Sequence, residues 1–265
     1  MCGLAGYSLH PRSSLERTLG AQALLAAIAE RGADAVGYAY RSPGETYPTV
    51  VKQRTPASQL LERVSVPATA AQLLVHVRDY TKGHPSIAAN NHPVRHGPVV
   101  GIHNGIITND DEVLAPHSCS RSEPRMTVDS EAIFAIAALS RNDARALERL
   151  RGAMATAWVD EREPTLLYLA RGMGRPMWVG DSRDGVFFAS TKLALEIVER
   201  YCELRLRKRE VREGTLLTLE DGRIVGRERF RPDLDYVEDH PLPAVRAPQE
   251  RDFCLTRLAA LAAAA

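Results

Sequence analysis

Cysteine is scarce in this 265-residue chain, and its four copies (Cys2, Cys119, Cys202 and Cys254) lie far apart with no CxxC pair. That excludes a zinc ribbon and a disulfide framework, and it fits a reducing compartment. Neither charge is in excess. A net charge of +1 leaves no global field to gather nucleic acid or an anionic membrane. The one basic run, Arg205 to Arg209, is flanked by Glu203, Glu210 and Glu213 and reads as a solvated strand face. No apolar run approaches the roughly 18–20 residues of a membrane span. The first residues lack a basic stretch followed by an apolar core, so no secretory signal is expected. A cytoplasmic protein with neither nucleic acid nor membrane as partner is the expectation. No internal repeat is present.

What remains is an ordinary globular composition, 45% hydrophobic and 25% charged, long enough for one large domain or two small ones. The first half reads as a strand over Gly3–Leu9 and a helix over Leu15–Ala29 capped by Ser13 or Ser14. A turn follows in which Gly32 suits the position after the helix. Strands are expected at 35–41, 49–53, 72–77 and 99–103, and a short helix at 57–63. Asp79 to His96 is polar and broken by glycine and proline, and a loop that long in a compact domain is usually functional. Asn104-Gly105 signals a turn between apolar runs. Asp110–Leu114 opens a short helix, His117–Thr127 is a polar loop with Cys119 exposed in it, and helices cover 128–139 and 142–150, the latter capped by Asn142. The rest is strand-rich, with one helix at 192–200, a proline-rich acidic strap over 230–248 and an alanine-rich helix from Arg251 that docks or frays. Many strands adjacent in sequence favour antiparallel sheets with helices outside.

Four separated pieces carry chemistry. Removal of Met1 would leave Cys2 with both a thiol and a free α-amine, a nucleophile and its own base; read alone, Cys2 is no more than a small residue starting a strand. Asn104 and Gly105 offer a side-chain amide beside a backbone N–H, a donor pair for an oxyanion. Arg78 can grip a carboxylate, and Asp129 can take an ammonium.

Met1-Cys2-Gly3-Leu4-Ala5-Gly6, Arg31-Gly32-Ala33-Asp34-Ala35-Val36-Gly37, His76-Val77-Arg78-Asp79-Tyr80-Thr81-Lys82-Gly83, Asn91-His92-Pro93-Val94, His103-Asn104-Gly105-Ile106-Ile107-Thr108-Asn109 and Val128-Asp129-Ser130-Glu131 stand in that order. Gly174-Arg175-Pro176-Met177 and Phe188-Ala189-Ser190 follow. Each is weak alone, but the series resembles the glutaminase domain of class II glutamine amidotransferases, in the N-terminal-nucleophile (Ntn) hydrolase superfamily. The resemblance implies an α+β, four-layer αββα sandwich of two mostly antiparallel sheets between helices. It implies hydrolysis of glutamine to glutamate and ammonia with no metal or other cofactor. Cys2 would be the nucleophile and its α-amine the base. Asn104 and Gly105 would form the oxyanion hole, while Arg78, Thr81 and Asp129 would bind the substrate. The domain would cover residues 1–230, leaving 231–265 as strap and C-terminal helix.

Relatives that make glucosamine phosphate usually have Trp and His where this chain has Asp79 and Lys82. Asp79 puts a negative charge beside Arg78, which favours a γ-glutamyl amide larger than glutamine. The chain ends about 75 residues after the last motif, short of an ammonia-capturing synthase domain. Three functions are open: a glutaminase serving a separate acceptor enzyme, a stand-alone amidohydrolase, or a non-catalytic binding module that keeps the fold. His76, His84, His92, His96 and His103 fall close together but match no common metal-ligand pattern apart from His92/His96, where Pro93 argues against a helix.

Overall fold

A computed structural model describes residues 1–115, 121–238 and 243–264. Its described residues form two sheets. The first has the order β11 (Arg207–Glu210), β9 (Trp178–Asp181), β10 (Gly185–Ala189), β1 (Gly3–Leu9), β4 (Gln72–Arg78), β2 (Ala35–Arg41) and β3 (Thr49–Gln53). The second runs β13 (Arg223–Arg229), β12 (Thr215–Glu220), β8 (Leu166–Arg171), β7 (Gly152–Asp160), β6 (Val99–Ile107) and β5 (Val94–His96). Neighbouring strands are antiparallel throughout.

Three apolar cores separate four layers. Leu4, Leu74, Ile102, Leu169, Leu217 and Phe188 fill the space between the sheets. On the outer face of the first sheet lie α1 (Arg17–Ile28), α2 (Ala57–Leu60), α5 (Lys192–Tyr201) and α6 (Pro248–Ala264), packed through Leu24, Ile28, Leu195 and Leu258. On the outer face of the second lie α3 (Asp110–Leu114) and α4 (Glu131–Ser140), packed through Val113, Ile133, Phe134 and Trp158. This is the expected αββα sandwich. Strands buried on both faces explain why β1, β4 and β7 read as near-continuous apolar runs rather than as alternation. Helix α4 is apolar on nearly every side and is buried accordingly. It approaches β6 closely because Gly101 has no side chain: a Cβ there would lie 2.1 Å from the Phe134 ring.

Several local expectations give way. The α1 cap is Glu16, whose carboxylate accepts from the Thr18 and Leu19 N–H groups, not Ser13 or Ser14. Gly32 is extended rather than left-handed, and its role is close approach, since a Cβ would sit 2.4 Å from the Arg78 carbonyl oxygen. Asn104-Gly105 is not a turn: β6 runs straight through it to Ile107, pairing Asn104 with Ala155 and Gly105 with Met154. Asn142 does not cap a helix. It is left-handed (φ 64°) and its amide joins Trp158, Asp160 and Glu163, while Asp143 caps a 3₁₀ turn. Helix α4 starts at Glu131, so Asp129 precedes it. The C-terminal helix docks, with Cys254 and Leu258 fully buried and Glu250 accepting from the Ser58 N–H and hydroxyl. Cys119 and the start of its loop lie outside the described residues, as do 239–242 of the strap.

Candidate active site

The opening of β1 is fixed by register and by side chains. Gly3 pairs with Val77, so Cys2 lies level with Arg78 at the end of β4. Arg31 Nε donates to the Cys2 carbonyl at 2.8 Å, and Ser190 Oγ accepts from the Leu4 N–H at 3.0 Å. Cys2 Sγ donates to the Asp79 carbonyl at 3.3 Å. Burial pushes the thiol up from its usual range, opposed by the Asp79 hydrogen bond and the Arg78 charge.

The second sheet is pinned to the first at the same level. His76 Nε2 meets the His103 carbonyl at 2.9 Å, which brings Asn104, one residue on, toward the strand end carrying Arg78. Asn104 is buried, and its Nδ2 has no hydrogen-bond partner among the described residues. Such an orphaned donor is costly without a ligand. Gly105 has φ 151°, and a Cβ there would fall 1.9 Å from the Ala153 oxygen, so only glycine fits.

Arg78, 2% exposed, is aimed by the Asn91 side-chain oxygen at 2.6 Å, the Lys82 carbonyl at 2.8 Å and the Gly83 carbonyl. Asp129, 3% exposed, accepts from the Ile107 N–H at 2.7 Å. Its carboxyl is raised to about 6, mainly because burial removes it from water. The 128–131 segment has a use for each polar residue. Ser130 Oγ meets His103 Nδ1 at 2.9 Å, and Glu131 accepts from the Ser122 N–H at 2.7 Å while pairing with His96 and Arg121. The long loop after β4 supplies two neighbouring asparagines. Asn91 orients Arg78, and Asn90 accepts from the Thr127 and Val128 N–H groups ahead of Asp129. Thr81 is exposed on the same loop.

Cys2, Arg78, Asn104, Gly105 and Asp129 therefore converge on one end of the sandwich. Sequence reasoning gave no role to Arg31, Asn90, Asn91, Ser130 or the His76–His103 pin, although all of these but Asn90 stand inside the motifs. Burial lowers His76 and His103 to about 3, so both rings are neutral. The His92 ring lies against that of His76, centroids 4.1 Å apart and planes tilted by 31°. No group of three or more His, Cys, Asp or Glu among the described residues is arranged to hold a metal ion, and no described helix is long and apolar enough to cross a membrane.

This layering, with Cys2 immediately before the central strand β1, is the four-layer αββα arrangement that the motif series implied. Residues 80–196 match the family described as "Glutamine amidotransferase domain". The chain is 30% identical over 209 residues to glutamine–fructose-6-phosphate aminotransferase (isomerizing) of Shigella flexneri, covering 76% of this chain and 33% of that protein. It is 31% identical over 203 residues to the protein of the same name from Symbiobacterium thermophilum, covering 74% and 32%. The chain thus spans about a third of the length of these relatives. Glutamine phosphoribosylpyrophosphate amidotransferase from B. subtilis superposes with a TM-score of 0.67 at 22% identity, over 86% of this chain and 49% of that one. Over residues 80–196 the chain therefore matches a glutamine amidotransferase domain, in agreement with the motif series.

Proposed function

We propose that this protein hydrolyses the side-chain amide of glutamine to glutamate and ammonia through Cys2, and that the ammonia serves a separate acceptor enzyme. The observation that carries the reading is the buried, unpartnered Nδ2 of Asn104, a donor waiting for an oxygen next to Gly105. Arg78 takes the α-carboxylate, Asp129 the ammonium, and Thr81 lines the rim. With Met1 present, the Cys2 nitrogen is an amide and the site lacks its base. Once Met1 is removed, the Cys2 α-amine accepts the thiol proton as sulfur attacks the amide carbon. The oxyanion forms against Asn104 Nδ2 and the Gly105 N–H. Collapse expels ammonia with the proton held by the amine, and water then hydrolyses the thioester.

Asp79 gives little support to a larger γ-glutamyl amide. Its carboxylate is already taken by the Met1 amine at 2.5 Å and by Arg246 at 3.3 Å, and the latter stays after Met1 is lost. We also assign residues 1–230 to the catalytic domain, with 231–265 bracing it. The test is incubation of Met1-processed protein with an electrophilic glutamine analogue, followed by intact mass and peptide mapping. One adduct per chain on Cys2, absent in Cys2→Ala, is expected; no adduct on the processed protein would end the glutaminase reading. Glutamate release without any partner, at the rate of a partner-supplied reaction, would replace the acceptor-coupled reading with a stand-alone amidohydrolase.

A further inference from the structure

At the open edge of the sandwich, β11 of one sheet faces β12 and β13 of the other across a cavity of about 530 Å³. That is within the volume range of small-molecule sites, about 300–1,000 Å³. Val211 and Leu217 of its lining belong to the core between the sheets, and the rest is Arg209, Arg212, Arg227 and Arg229 with Thr215 and one carboxylate, Glu210.

Arg227 and Arg229 point inward because of an irregularity in β13. Directly opposed residues of an antiparallel pair share a face. Ile224 opposes Leu219 and packs into the inter-sheet core. Uninterrupted alternation from Ile224 would put Gly226 and Glu228 on that inner face. Instead the register shifts between Thr218 and Leu219, with Gly226 opposite Thr218, so Val225 is an extra residue. The bulge re-aims the remainder of the strand: Arg227 now opposes Leu217 and Arg229 opposes Thr215, both facing inward, and Glu228 is turned to the other side.

The available carboxylates are otherwise engaged. Glu210 pairs with Arg171 at 2.7 Å, and Asp181 is taken by Arg209. Arg229 donates to the Thr215 hydroxyl. Arg212 and Arg227 have neither a hydrogen bond nor an ion pair among the described residues. A polar-walled cavity with guanidinium groups lacking counter-ions is complementary to a compact polyanion, because each guanidinium presents a planar set of donors that matches phosphate oxygens. We propose that this cavity is a binding site for a small ligand carrying a di- or triphosphate group. It sits at the same end of the molecule as Cys2, since the pairing runs laterally from Asn104 through Ala155 and Arg171 to Thr215 and Arg229. It nevertheless lies three strands away and shares no residue with the candidate active site.

Calorimetric titration of the full chain with inorganic tripolyphosphate at about physiological ionic strength tests this. One saturable site per chain is expected, weakened at least tenfold in Arg227→Gln/Arg229→Gln and unchanged within twofold in Arg12→Gln/Arg54→Gln, which removes the same charge elsewhere. Cys2→Ala should bind like the parent, so failure of the glutaminase reading does not touch this result. Equal affinity in the Arg227/Arg229 variant, or equal loss in the control, overturns the site. So does binding of long polyphosphate without binding of tripolyphosphate. If the double variant melts lower than the parent without ligand, Arg212→Gln replaces it: a loss of threefold or more is expected, and no loss overturns the proposal.

Discussion

As the proposed ammonium site, Asp129 would set a pH limit that can be measured apart from the chemistry proposed for Cys2. Burial outweighs its bond from the Ile107 N–H and raises the carboxyl from 3.8 to about 6. Only the ionised form attracts an ammonium, so glutamine affinity should be flat above about pH 7 and fall roughly tenfold per unit below about 6. Stability moves the opposite way. The folded pKa lies above the unfolded one, so the protonated carboxyl favours the native state. That contribution is fully present below about 3.9 and is lost as pH rises through about 6. A shift of about two units, at 1.36 kcal/mol each, makes it about 3 kcal/mol. Asp129→Asn keeps an oxygen for Ile107 and avoids the cost of ionising in the interior. It should be more stable than the parent by up to about 3 kcal/mol near pH 8, with the gap closing toward about pH 4. Urea denaturation across that range reads the gap, and glutamine titration of Cys2→Ala reads affinity without turnover. A gap independent of pH would refute the raised carboxyl, and an affinity unchanged between about pH 5 and 7.5 would refute the assignment of Asp129 to the ammonium.

Three further outcomes are expected from the geometry. Asn104→Ala should lower kcat by about 10²–10³ while KM stays within about threefold, because the role proposed for the amide is on the oxyanion and not on the ground state; an unchanged kcat in a glutaminase assay removes it from the oxyanion hole. Gly32→Ala pushes against the Arg78 backbone and should cost about 1–3 kcal/mol in thermal unfolding while raising KM for glutamine; a neutral effect on both would show that the close approach does not position Arg78. Leu258→Ala should cost about 2–5 kcal/mol if α6 is integral to the first helical layer, and a change under about 0.5 kcal/mol in chemical denaturation would mean that the helix merely rests on the surface.

The layers were legible because they rest on burial patterns that sequence carries directly. Apolar runs at Gly3–Leu9, Gln72–Arg78 and Gly152–Asp160 became the central strands, and the all-apolar stretch after Glu131 became the buried helix. Local conformation at polar and glycine positions was not legible in the same way. Asn-Gly favours a two-residue turn when nothing else decides, but here Ala155 and Met154 of β7 supply a strand partner and tertiary pairing overrides local preference. Gly32 has the composition of a helix stop. The reason for it lies 46 residues away, in the Arg78 carbonyl, and no local pattern contains that information. The bulge at Val225 depends likewise on the register of β12 and not on any residue in β13 alone.

For the candidate site, the charged residues were readable and their supports were not, and the nature of those supports bears on the chemistry. Arg78 is oriented by an asparagine and two carbonyls, and Asp129 by a backbone N–H. A carboxylate holding Arg78, or a lysine holding Asp129, would give the same direction but cancel the charge. Neutral partners fix geometry and leave the charge for a ligand. Asp79 shows the alternative, since a cation on either side neutralises it. Arg78 and Asp129 are therefore a cation and an anion held by neutral partners and nearly fully buried, with an orphaned amide donor on the adjoining sheet, and Arg31 beside Cys2 is a further buried guanidinium held only by a carbonyl. A zwitterionic amino acid whose side chain ends in an amide meets all three demands at once, whereas an uncharged amide would leave both buried charges unpaired.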